Sequence, residues 1–204
     1  MRSSRRDGFV DPMLWYLVAG VVLLAASLWM PWFTAARTAR AELRADRLSE
    51  LLLRAVGGTA ATGAEPDPEH VLAVFFALAA ADGVFLADVE RLPPPAPEIV
   101  LALVNKHYAF QLAPSPVDPT ATVGRGTTPS FEVTAWPLGV AGPGHSVYFQ
   151  AEDAPRAYTR NLTCGFHGLG ERRPPPGAGQ RRDGGAFDTP SSYRSNSDER
   201  WMLY

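Results

Sequence analysis

The sequence predicts an α+β protein: a long N-terminal transmembrane and stalk helix, then a small helix plus antiparallel β-sheet domain, then a disordered C-terminal tail. Three observations predict this class. Residues 13–33 carry no charged side chain over 21 positions, helix-forming residues continue from there to Gly57-Gly58, and residues 108–150 contain stretches that alternate apolar and polar. The expected organisation is a basic cytoplasmic leader (1–12), a span (13–33), an amphipathic stalk (34–56), a domain (57–169) and a low-complexity tail (170–204).

The uncharged run matches the roughly 20 residues that a bilayer-spanning helix needs. Trp15 and Tyr16 lie near one end of the run, and Trp29 and Trp32 lie near the other, as expected for aromatic belts at both membrane interfaces. A cleaved secretory signal would have a shorter apolar region and a small-x-small cleavage site, whereas this run ends in Met-Pro-Trp-Phe. The sequence therefore predicts a single-pass membrane protein.

The helix is expected to begin at Pro12, with Asp11 capping its first turn. Pro31 lacks the N–H that would bond to the carbonyl of Ser27, so a bend is expected there. Beyond the span, an apolar stripe at helical spacing predicts that residues 34–56 continue as an amphipathic stalk. The stripe consists of Ala36, Ala39, Leu43, Leu48, Leu51 and Leu52.

After the stalk, residues 66–81 predict one short helix, because their apolar residues recur at helical spacing behind an acidic start. Alternation of period two predicts strands around Tyr108, Phe131 and Val147, with Gly142-Pro143-Gly144 turning between the last two. Residues 98–106 fit either a helix or a strand, and residues 156–159 are a further candidate edge strand. The expected core consists of Phe75, Phe76, Phe110, Phe131, Val133 and Phe149.

From Gly170 onward the chain is polar and rich in Pro, Gly and Ser, which predicts a mobile tail or long loop. Its apolar end, Trp201 to Tyr204, is the one part that could dock onto the domain.

The N-terminal quarter resembles a type IV pilin or a type II secretion pseudopilin. The resemblance rests on a short basic leader, Gly8-Phe9, an apolar helix, Pro31 near its end and an Arg/Ala-rich continuation. It implies that a prepilin peptidase cuts between Gly8 and Phe9 and that the new N-terminal amine is methylated. It also implies a structural subunit in a bacterial inner membrane that assembles with itself or other pilin-like subunits, with a periplasmic or extracellular C-terminal domain.

The chain departs from the family at one position. The family's glutamate, fifth in the mature chain, corresponds to Met13, while an acid stands two positions earlier at Asp11 and is followed by Pro12. This departure implies either a divergent minor subunit or a leader that is no longer processed. In the second case the chain would be a membrane-tethered binding or scaffolding module with a plain signal anchor.

Two further patterns bear on the source of the protein and on its orientation in the membrane. Eighteen of the 19 basic residues are arginine, which indicates a GC-rich, bacterial genome. Three arginines precede the span and five follow it on the stalk, and this count by itself would place the domain in the cytoplasm. The arginine count and the pilin resemblance thus predict opposite orientations.

No catalytic signature is present, so the sequence predicts a protein that is not an enzyme. A net charge of −2 gives no nucleic-acid footprint, and Cys164 is the only cysteine. The scattered histidines His107, His145 and His167 lack metal-ligand spacing, so neither cofactor nor metal is expected, and no small-molecule substrate is evident. The lipid bilayer is the expected partner. Candidate assembly residues on the apolar helix are Asp11, Gly20, Ser27 and Pro31, with Ala19 and Ala26 as a second small-residue pair.

Overall fold

A computed structural model describes residues 12–60, 66–115, 130–140, 142, 144–152, 154–182 and 191–204. The chain divides into two compact units, Met1–Arg37 and Thr38–Tyr204.

The first helix, α1, covers Pro12–Ala60 and contains Pro31 in its interior. The prediction of one helix that continues past the apolar run is therefore confirmed. It ends four residues beyond Val56, because Gly57 and Gly58 stay helical. The bend at Pro31 stays a prediction.

The second unit adds one helix and one sheet. Helix α2 covers Pro68–Ala81, where Asp67 caps the first turn by accepting the N–H of Glu69 at 3.2 Å. The strands are β1 (Glu90–Leu92), β2 (Leu101–Val104), β3 (Tyr108–Pro114), β4 (Phe131–Pro137), β5 (Val147–Ala151), β6 (Ala154–Thr159), β7 (Ser192–Arg194) and β8 (Arg200–Leu203).

All eight strands form a single antiparallel sheet in the order β1-β2-β3-β4-β5-β6-β8-β7. The predicted antiparallel sheet is confirmed, with more strands than the three or four expected. The ambiguous segment 98–106 supplies β2. Residues 156–159 belong to β6, which is an internal strand rather than an edge because β8 pairs with it through Tyr158 and Met202.

One face of the sheet is covered by α2 and by residues 41–56 of α1. Leu48, Leu51 and Leu52 are almost completely buried there, together with Phe75, and Leu43 is 71% exposed on the opposite side of the helix. The segment predicted as a stalk is thus the principal core helix of the domain. Leu48, Leu51 and Leu52 of the predicted stripe are thus covered by the sheet, as an amphipathic helix requires, whereas Ala39 and Leu43 are exposed and do not belong to the buried face.

The predicted core is largely confirmed. Phe110, Phe131, Val133 and Phe149 are buried in the sheet, as is Phe75 on α2. Phe76 is the exception, since its side chain is 39% exposed. Consecutive helix residues point about 100° apart, so only one of the two neighbouring phenylalanines can face the sheet fully.

The other face of the sheet is covered by residues 160–182, so the predicted disordered C-terminal tail is wrong for the described residues after Gly170. Trp136, Phe149, Phe166, Tyr193 and Trp201 form a second buried cluster. Left-handed glycines at 165, 168 and 177 turn the covering segment repeatedly. Glycine and proline here form ordered turns, because a buried sheet face compensates for the entropy that ordering them costs.

Gly144 shows how closely the core under α1 and α2 constrains the backbone, because it lies against Tyr108 of that core. Its φ is +100°, and an added Cβ would lie 2.5 Å from the Tyr108 hydroxyl oxygen. We expect Gly144→Ala to destabilise the domain by about 1–3 kcal/mol, because it combines overpacking with a strained φ. Thermal unfolding of the full chain in detergent measures this. Gly170→Ala is the matched control, since nothing lies within 4 Å of its added Cβ, and equal midpoints for both variants would contradict the expectation.

Candidate functional site: the exposed apolar helix

The apolar part of α1 leaves its large side chains exposed. Every described side chain from Met13 to Ala35 is exposed, and the large apolar ones are between 47 and 80% accessible. The helix is long and apolar enough to cross a membrane. Trp15 and Trp32 are about 26 Å apart along a helix that rises 1.5 Å per residue, which is close to the thickness of a hydrocarbon core.

Aromatic rings cluster at the C-terminal end of this stretch. The Trp29 and Trp32 ring centroids are 5.9 Å apart, and Phe33 lies 6.2 Å from each. Indole rings favour the headgroup level because they combine an apolar body with one N–H donor. The cluster therefore marks the level at which this helix would leave the bilayer.

The hydroxyl groups of Ser27 and Thr34 are satisfied within the helix. Ser27 donates to the carbonyl of Leu24 at 2.8 Å, and Thr34 donates to Met30 at 3.1 Å and to Pro31 at 2.9 Å. An unpaired hydroxyl in hydrocarbon would cost several kcal/mol, so these bonds make both side chains compatible with lipid.

Three of the sequence-predicted assembly residues share one face of α1. At 100° per residue, Gly20, Ser27 and Pro31 fall within about 40° of one another around the axis. No atom lies within 4 Å of a Cβ added to Gly20. Gly20 and Ser27 are thus small residues on one exposed face, and such residues let a second helix approach closely. Ala19 and Ala26 form a separate small-residue line on an adjacent face.

Gly8, Phe9 and Asp11, the other sequence-predicted site residues, lie outside the described residues. The cleavage site and the acid that would meet a neighbour's amine therefore stay predictions.

Within the domain, polar side chains of α1 bind the sheet. Glu50 is 8% exposed and forms ion pairs with Arg47 at 2.5 Å and with Arg156 of β6 at 2.8 Å, as well as with Arg54. Burial by itself would raise the pKa of Glu50. The hydrogen bonds and charges of Arg47 and Arg156 outweigh burial and hold that pKa below its usual value.

Glu132 of β4 is a second buried acid, on the sheet face that residues 160–182 cover. It accepts hydrogen bonds from the Gly177 N–H, from the Gln180 amide at 3.1 Å and from the Ser115 hydroxyl at 3.4 Å. No described arginine or lysine forms an ion pair with it. Burial raises the pKa of Glu132 to about 7, and the three hydrogen bonds only partly offset this effect.

Sequence reasoning missed Glu132 for an identifiable reason. Because side chains alternate along β4, Glu132 lies on the face opposite Phe131. In the sequence, that face was expected to be the solvent-exposed face of a half-buried strand. A signal was nevertheless present, because Thr134 and Trp136 on the same face are too mixed in size and polarity for a plain solvent-facing row.

The described residues contain no group of three or more His, Cys, Asp or Glu side chains that could hold a metal ion. His145 and His167 line one groove together with Arg160. The Cys164 thiol donates to the carbonyl of Ser197 at 3.1 Å, and burial is the main cause that raises its pKa.

Comparison of the chain with protein-family models, with curated proteins and with solved structures found no match.

Proposed function

We propose that this chain is a pilin-like or pseudopilin structural subunit, anchored in a bacterial inner membrane and assembling into a filament or secretion pseudopilus. One observation carries the proposal: a single helix, α1, supplies both the exposed apolar stretch and the core helix of an antiparallel-sheet domain. The pilin resemblance implies one helix of this kind, with an apolar first part and an amphipathic second part.

The use of one helix for both parts favours a structural subunit over a simple tether. A signal anchor needs only the span, and a flexible linker after it would serve a tethered module equally well. In this chain the helix is instead uninterrupted between the span and the core segment. Such a helix suits a subunit whose membrane segment must later pack beside the segments of its neighbours.

The face of α1 that carries Gly20, Ser27 and Pro31 is the proposed contact between subunits. Helices in lipid gain nothing from burying apolar side chains against each other, so association depends on close packing. In the proposed orientation the leader is cytoplasmic and the domain is periplasmic.

The first test is the mature N-terminus. Mass spectrometry of the chain, isolated from cells that contain a prepilin peptidase, is expected to find Phe9 as the first residue, carrying a methylated amine. Gly8→Leu is expected to retain the leader, because the resemblance places the cut after Gly8. If the chain with its original sequence still begins at Met1, that result would count against a filament subunit.

The second test is association in the membrane. Crosslinking of full-length chains is expected to fall in Gly20→Leu, because the larger side chain blocks close approach of a second helix, and in Asp11→Asn, which keeps the helix cap but removes the charge. Ala25→Leu is the matched control, as it places the same side chain about 140° around the helix from Gly20. Equal crosslinking in all variants, or a monomeric parent chain, contradicts the proposed contact.

The alternative is a membrane-tethered binding or scaffolding module. The observation that favours it is Met13, which stands where the family has its glutamate. An unprocessed leader together with monomeric behaviour would support this second function.

A further inference from the structure

Loops from different parts of the chain meet at one end of the sheet, beside the first residues of the second unit. The Glu42 carboxylate accepts the N–H groups of His145 at 3.1 Å and Ser146 at 3.2 Å. Two residues further along α1, Arg44 binds the carbonyl of Phe85 at 2.6 Å. The β4–β5 loop and the α2–β1 loop therefore both lie where α1 enters the domain.

Two more loops join them. The N–H of Leu138 donates to the carbonyl of His107 at 2.9 Å, which places the β2–β3 turn beside the β4–β5 loop. The N–H of Gly168 donates to the carbonyl of Pro137 at 3.0 Å, which places the segment after β6 there too. Val140, His145, Arg160 and Leu162 line one shallow groove of about 180 Å³ between these loops.

The loops expose apolar tips flanked by basic groups. Phe85 is 74% exposed, Val140 71% and Leu162 84%. We call the set the loop rim: Phe85, Lys106, Val140, His145, Arg160 and Leu162. Lys106 and Arg160 are exposed, and neither forms an ion pair with a described residue.

Three acids close to the rim have partners within the domain. Glu42 accepts two backbone N–H groups, Asp88 is paired with Arg44, and Glu199 accepts the N–H groups of Thr163 and Cys164. The six residues of the loop rim thus include two basic side chains and no acid. Exposed apolar tips beside basic groups are the composition of surfaces that bind the interface of an anionic bilayer.

Chain connectivity identifies the occupant. Only four residues separate Phe33, the last residue of the apolar run, from Thr38, where the second unit begins. Even fully extended, that connection spans at most about 17 Å. The first residues of the second unit, which include Glu42 and Arg44, are thus close along the chain to the end of the apolar run.

We infer that the loop rim docks on the surface of an anionic bilayer, with Phe85, Val140 and Leu162 entering the headgroup region and Lys106 and Arg160 lying near lipid phosphates. The inference rests on α1 spanning the membrane, and it holds for a filament subunit before assembly as well as for a tethered module. Each basic residue near an anionic surface strengthens such docking by about fivefold.

The test uses the full-length chain in nanodiscs that hold one copy each. In a Cys164→Ser background, single cysteines replace Val140, Leu162 or Ala154 and carry an environment-sensitive fluorophore, and the discs contain lipids with a quencher just below the headgroup. Ala154 is the control, because it is exposed on the β5–β6 turn at the opposite end of the sheet from Ser146. All three sites are exposed, so thermal unfolding of each labelled chain should match its parent.

Quenching is expected at positions 140 and 162 and not at 154 in discs of phosphatidylglycerol and phosphatidylethanolamine. Combining Lys106→Gln with Arg160→Gln is expected to lower the ratio of docked to free domain by about 25-fold. Quenching at 140 and 162 no greater than at 154 would overturn the inference. Equal quenching on purely zwitterionic discs would overturn it as well. Quenching at 140 and 162 that appears only when discs hold several copies would also overturn it and would assign the rim to contacts between subunits.

Discussion

Replacing Trp201 by Ala is expected to destabilise the domain by about 3–5 kcal/mol. Trp201 is completely buried, its ring meets Phe149 edge-on with centroids 5.9 Å apart, and its strand pairs with β6 and β7. Truncation therefore removes the largest fully buried side chain from the second face of the sheet. Thermal or denaturant unfolding of the full chain in detergent measures the loss.

Two further variants make this test specific. Trp201→Phe is expected to cost less, because it keeps an aromatic ring and removes an indole N–H that has no hydrogen-bond partner among the described residues. Leu162→Ala, at a side chain that is 84% exposed, is expected to leave stability within about 0.5 kcal/mol. If Trp201→Ala proved as harmless as Leu162→Ala, the end of the chain would not be part of the core.

Glu132→Gln is expected to change how stability depends on pH. The folded chain keeps a proton on Glu132 up to about pH 7, whereas the unfolded chain releases it near 4.5. Between these values the folded state binds more protons, so the free energy of unfolding falls as pH rises, by about 3 kcal/mol in total. Glutamine carries no charge, so the variant should lack this fall and be more stable than the parent above pH 7.

Denaturant unfolding at several pH values between 5 and 8, for parent and variant, gives the measurement. The difference between the two curves isolates Glu132. Glu50 has a lowered pKa, and its stabilising ion pairs are lost only as pH falls below its unfolded value, outside this window. Glu171→Gln, at an exposed position, is the matched control. Parallel curves for Glu132→Gln and its parent would show that Glu132 is already ionised at pH 5.

The elements that sequence predicted correctly are those whose pattern is local. Residues 13–33 need only their own composition to indicate a long apolar helix, and Tyr108, Phe110 and Leu112 alternate cleanly because one face of β3 packs on α1 and α2. Helix α2 was likewise predicted within two residues of its start, because Asp67 and Pro68 form a recognisable cap.

The errors concern residues whose surroundings are formed by segments that are distant from them in sequence. The composition of residues 170–182 indicates disorder, yet Gln111 on β3 donates to the carbonyl of Pro174 and Tyr193 donates to that of Gly179. From its place in the alternation, Glu132 was expected to face solvent, but residues 170–182 cover it. The loop rim was equally invisible, because Phe85, Val140 and Leu162 come from three separate loops that only the sheet topology brings to one end.

The use of residues 41–56 as a core helix has a consequence for the order of folding. The contacts that close the domain join residues far apart in sequence: Glu42 and Ser146 are separated by 104 positions, and Asp46 and Tyr204 by 158. Contacts between residues so distant in sequence form slowly, because the entropy of loop closure is lost before the contacts are gained. During synthesis the stripe of Leu48, Leu51 and Leu52 emerges early and waits uncovered until the strands that shield it have been made. For that interval the nascent chain presents an apolar surface that follows its exposed apolar helix, and a chaperone would have to keep this surface from aggregating.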